Sequence, residues 1–79
     1  MEIKYYNLER LATSYRVVKA NSCIVHVAVS LFFNPKILSL TFEEFESQLK
    51  ILTDITESNE ETFKNRVNEV ARLTINYLK

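Results

Sequence analysis

The side chains able to do chemistry in this chain are few and poorly placed to work together. Cys23 and His26 are the only soft metal ligands. They stand three apart in a run that alternates like a strand, so they point to opposite faces of it. A zinc site takes three or four such ligands, and a partly buried histidine near a packed free thiol is the simpler reading. Glu43, Glu44 and Glu46 could do acid–base work only if one were buried with a raised pKa. Their place at a predicted helix start explains them through capping and the helix dipole. Serines and threonines are numerous, but His26 is the only histidine that could serve any of them as a base. No catalytic residue, metal ligand or cofactor is assigned, and no enzymatic activity is expected.

The absence of glycine narrows the field further. A chain of this length would ordinarily carry roughly five or six. Phosphate cradles, dinucleotide fingerprints and nucleophile elbows need backbone that glycine alone allows. Left-handed turn positions must fall to asparagine or to strained residues. Asn21, Asn34 and Asn59 stand where turns are expected.

Aromatic and basic residues are the more informative group. Tyr5, Tyr6, Arg10, Arg16 and Lys19 interleave near the N-terminus, in a half (1–36) whose net charge is +3. Residues 37–79 are net −3, and the whole is neutral. Such a mixture can stack on nucleic acid or form the centre of a protein interface. Zero net charge favours the interface, with an acidic protein surface as the partner.

Several elements must position these residues. Residues 7–19 match a helix capped by Asn7, with Leu8, Leu11, Ala12, Tyr15 and Val18 on one face. The tail 15–19 offers a strand as the alternative, because its valines are β-branched. Residues 23–33 alternate with period two and predict a strand ending before Pro35. Residues 36–41 resume the alternation and close an antiparallel hairpin. Thr41 and Glu44 form a capping box for a helix running to about Thr56. A last helix follows Ser58–Asn59, its stripe formed by Phe63, Val67, Val70, Thr74 and Tyr77. The expected fold is α+β: a helix, an antiparallel β-hairpin, then a two-helix hairpin, all in one domain of 79 residues.

From Val70 onward the last helix is apolar on several sides, more than one neighbour can cover. Val70, Leu73, Tyr77 and Leu78 are therefore expected to bury against a second copy of the chain, most simply as a dimer. The longest apolar stretch, 23–33, is about half of the roughly 20 residues a membrane helix needs. One cysteine and no recognisable targeting segment fit a cytoplasmic protein.

The strand at 36–41 followed by two amphipathic helices resembles a ribbon-helix-helix DNA-binding domain. That resemblance implies a dimer paired through Lys36–Thr41, with Ile37, Ser39 and Thr41 facing the major groove. It also implies phosphate near Ser58–Glu61, where Glu60 and Glu61 stand instead. The first expectation is a non-enzymatic protein-binding module acting as a homo-oligomer. Accessory or inhibitor proteins of phages and mobile elements share this size and Asn/Ile/Lys-leaning composition. The alternative is a DNA-binding regulator of the ribbon-helix-helix type.

Overall fold

Tyr5, Tyr6, Tyr15, Val17 and Val18 are strand formers, and the N-terminal part of the chain uses them to build a β-hairpin where a helix was expected. The computed structural model describes residues 1–78, with side chains through Ile75. Strand β1 (Glu2–Leu8) runs into a 3-10 turn at Glu9–Leu11 and returns as β2 (Thr13–Lys19). The helical spacing of Leu8, Leu11, Ala12, Tyr15 and Val18 straddles this reversal and is coincidental. The strand reading of 15–19 is the one realised, and Asn7 is a strand residue, not a helix cap.

The reversal needs one left-handed residue, and Ala12 supplies it at φ 47° and ψ 46°. Of the described residues outside glycine it alone has positive φ, so the three asparagines are not used this way. A left-handed alanine costs on the order of 1–2 kcal/mol. Neighbours hold it in place. Ala12 N donates to Glu9 O at 3.0 Å, and Ala12 O accepts from both Ser30 N (2.9 Å) and Ser30 Oγ (3.2 Å).

Strand β3 (Cys23–Val29) pairs antiparallel with β2 and with β4 (Lys36–Thr41), which gives the expected second hairpin. β3 stops four residues short of the expected end because Ser30 turns aside to Ala12. Phe32 and Phe33 then form the turn, with Asn34 N donating to Leu31 O at 2.9 Å. Helix α1 (Phe42–Ile51) opens with the predicted capping box, Glu44 N on Thr41 Oγ1 and Thr41 N on Glu44 Oε1. It ends before the predicted Thr56. Asp54 is held by Arg10, and β5 (Thr56–Glu57) joins the sheet beside β1. Helix α2 (Glu60–Leu78) follows, capped by Asn59 Oδ1 on Thr62 N at 2.9 Å.

The result is α+β, a five-stranded antiparallel sheet in the order β4-β3-β2-β1-β5 with two helices. Register puts Tyr6, Tyr15, Val27 and Leu38 in one cross-strand row, and Lys4, Val17, Val25 and Leu40 in the next. α1 covers that face: Phe45 packs on Tyr6 and Tyr15 with ring centroids 5.5 and 5.1 Å apart. Side chains one residue along point to the other face, and α2 lies there. Phe63 packs on Tyr5 at 5.9 Å, and Arg66 bonds Ser14. The expected two-helix hairpin is therefore not formed, because the helices lie on opposite faces of the sheet.

Candidate protein-binding edge

The six residues of β4 are hydrogen-bonded on one side only. The strand ends the sheet, and among the described residues no other strand covers its outer side. An open edge presents a row of N–H and C=O groups to any strand that can lie alongside. Pro35 and Lys36, residues that discourage such pairing, stand only at its start; Ile37 to Thr41 carry no charge. The far edge is built differently. There β5 pairs with Tyr6 and Asn7, and Ser58 N donates to Tyr5 O at 2.9 Å.

Apolar side chains gather around the β4 edge. Phe32 and Phe33, in the turn leading into it, are 80 % and 74 % exposed; Ile37 is 54 % exposed on the α2 face. On the α1 face a groove of about 410 Å³ opens, walled by Val29, Leu31, Leu38, Leu40, Ile51 and Leu52. Helix length explains the groove. Ten residues of α1 span roughly 15 Å, whereas a seven-residue strand runs roughly 23 Å. Ile51, at the end of α1, is 78 % exposed on the groove's rim. Single exposed apolar residues are ordinary on any protein. These four belong to segments that meet at one edge.

The five N-terminal residues expected to form a partner surface are not brought together. Tyr6 and Lys19 are on the α1 face, where Tyr6 packs on Phe45 and Lys19 Nζ sits 5.1 Å from the Phe42 ring centroid. Tyr5 and Arg16 are on the α2 face, in a cleft of about 350 Å³ whose other walls are Glu60, Phe63, Lys64, Val67 and Asn68. Arg10 makes a two-pronged ion pair with Asp54, Nε to Oδ2 at 2.7 Å and Nη2 to Oδ1 at 3.3 Å. The hydrogen bond to Arg10 holds the Asp54 carboxyl below its ordinary pKa, and the same bond raises Arg10. Glu44 is likewise lowered, by its bonds to Thr41, so its role is to cap.

Of the residues expected at a self-contact, Val70 is buried within its own chain and Leu73 is half-buried. The side chains of Tyr77 and Leu78 lie outside the described part. α2 begins beside β1 and reaches β4, so its C-terminal half approaches the open edge. Cys23 and His26 fall on opposite faces: Cys23 packs toward the α1-side core, and His26 pairs with Arg16 and Ser39 on the other side.

A polar cluster on the α2 face was not anticipated. Arg66, only 12 % exposed, donates to Ser14 Oγ at 3.3 Å, Ser30 Oγ at 3.0 Å and Glu9 Oε2 at 3.3 Å. Ser14 Oγ donates to Asn7 Oδ1, and Asn7 Nδ2 to Glu9 Oε2, both at 2.7 Å. The only sequence signal is that Arg66 falls inside the apolar stripe between Phe63 and Val70. Each guanidinium nitrogen donates to one oxygen of the cluster, and Glu9 and Glu69 offset its charge. Its chemistry is that of a fastener.

The strand–helix–helix unit of ribbon-helix-helix proteins is not the unit formed here. β4 pairs with β3 of its own chain, and the helices that follow it are parted by the sheet. Comparison with protein-family models, with curated proteins and with solved structures found no match to this chain.

Proposed function

We propose that this chain is a non-enzymatic protein-binding module that acts as a homo-oligomer. The observation that carries the reading is the open β4 edge, with backbone donors and acceptors and apolar side chains presented side by side. Strand addition at such an edge draws affinity from main-chain bonds and specificity from the flanking side chains. The polar residues that could have formed a reactive site are spent elsewhere: Arg66 on Ser14, Ser30 and Glu9, and Arg10 on Asp54. Tyr5 and Arg16 keep one cleft wall on the α2 face, where Arg16 and Lys64 outnumber Glu60, a second surface on which an acidic protein partner can dock.

Light scattering at high micromolar concentration tests the oligomer, and a monomer there contradicts the reading. A gel-shift titration with duplex DNA separates it from a nucleic-acid binder. The reading expects no complex at physiological salt below about 10 μM, within the range of ordinary non-specific affinity. A sub-micromolar complex that weakens steeply with salt contradicts it.

A further inference from the structure

Resting on the homo-oligomer reading, we infer that the second copy pairs antiparallel along β4, across a two-fold axis at Ser39, to make one continuous ten-stranded sheet. A two-fold axis perpendicular to the sheet reverses strand direction, so it pairs β4 with its copy antiparallel. Opposite residues of an antiparallel pair share a face, so the axis passes through a residue and α1 of both copies lies on one side. With the axis at Ser39, Leu38 and Leu40 face each other twice on the α1 side. Ile37 and Thr41 do so on the α2 side.

Charge selects this partner. β4 starts at Lys36 and runs straight into Glu43 and Glu44 in the first turn of α1. In this register Lys36 of one copy stands opposite Phe42 of the second, next to its Glu43. The two-fold repeats that pairing at the other end, so the strand is electrostatically complementary to itself. Net charge is zero, so two copies do not repel at long range. Five facing residues per copy give roughly four to six interchain hydrogen bonds, depending on which pairs bond.

Apolar surface beside the strand supplies a large share of the roughly 800 Å² per partner that a stable interface takes. Phe32 and Phe33, at 80 % and 74 % exposure, leave about 300 Å² in water, taking about 200 Å² per ring. The turn that carries them precedes Lys36, and in the pair it runs on beside the second copy's α1. Ile37, about half exposed, and the part-buried Leu38 and Leu40 extend that contact along the strand.

The test uses cysteine and charge variants of the whole chain. With Cys23→Ser to remove the native thiol, Ser39→Cys brings two thiols face to face at the axis. Directly opposite strand residues have Cα atoms about 4.5–5.5 Å apart, within the range a disulfide spans. Air oxidation should give a covalent dimer with Ser39→Cys and none with Lys4→Cys on β1. Lys36→Glu should weaken dimerisation about tenfold, because two exposed attractive pairs become repulsive ones, and Lys36→Glu with Glu43→Lys should restore it. Circular dichroism checks that each variant is folded. A wild-type dimer in which Ser39→Cys does not cross-link and Lys36→Glu changes nothing overturns the edge pairing and leaves the homo-oligomer reading standing. A wild-type monomer overturns both.

Discussion

The two faces of the sheet are closed by different physics. Under α1 the contact is apolar: Phe45 sits on Tyr6, Tyr15 and a floor of Val17, Val25 and Val27. The one buried phenol there, on Tyr15, is pushed up in pKa by desolvation and donates to Gln48 Oε1 at 3.1 Å. Under α2 the centre is polar, with Arg66 bonded to Ser14 and Ser30 while Val70 and Ala28 fill in around it. A directional network fits one geometry. A greasy face tolerates being left part-open, and the shorter helix leaves its groove beside β4. The difference places spare binding capacity on the α1 side and at the β4 edge.

That contrast can be broken from either face. Phe45→Ala should cost most, about 3–5 kcal/mol, the usual range for a buried phenylalanine. Urea unfolding measures it, and a loss below 1 kcal/mol would mean that α1 is not the lid of the core. Arg66→Met keeps the volume and removes the charge. If α2 were held by apolar burial alone, the change would be neutral or helpful. The network predicts a loss of about 2 kcal/mol, as for hydrogen bonds to a charged group. Arg66→Lys should recover little of it, because an ammonium cannot span the same three oxygens.

Two smaller effects sharpen the picture at the junction of the faces. Ala12→Gly removes left-handed strain worth on the order of 1–2 kcal/mol but adds unfolded-chain entropy of about 0.4–1 kcal/mol. The net should be a slight rise in melting temperature; a fall would show that Ala12 is unstrained. The Arg10–Asp54 pair gives the weakest signal. Asp54 has its pKa lowered by Arg10, so its contribution is present above the ordinary carboxylate value and is lost as pH falls through the lower folded value. Glu44 adds in the same direction. Stability should hold flat through neutral pH and fall on the acid side, and Asp54→Asn should make that acid limb shallower. An unchanged limb would show that the pair contributes nothing.

The parts legible in the sequence are those ruled by local chemistry. Alternation in 23–29, the Thr41/Glu44 capping box and the break at Ser58–Asn59 all reappear as β3, the start of α1 and the start of α2. The parts that were not legible depend on distant partners. Residues 7–19 match a helical period by chance, and only pairing with β1 and β3 makes 13–19 a strand. Ser14 and Ser30 carry no sign of Arg66, which lies 52 and 36 residues away. The expected interaction surface of Tyr5, Tyr6, Arg10, Arg16 and Lys19 is split between the two faces, and Tyr5, Tyr6, Arg10 and Lys19 each have a partner within the chain. The pairing of 36–41 with 23–29 is legible as a hairpin, but that β4 ends the sheet is not, because an edge is a property of the assembled sheet.

Amide hydrogen exchange along β4, followed as protein concentration rises, tests the central claim most directly. Alternate amides of Lys36–Thr41 point to β3 and should be protected at every concentration. The account predicts that the intervening, outward amides exchange freely when dilute and become protected as the protein is concentrated, in step with a doubling of mass. Outward amides that stay unprotected while the mass doubles would place the self-contact elsewhere and contradict the account.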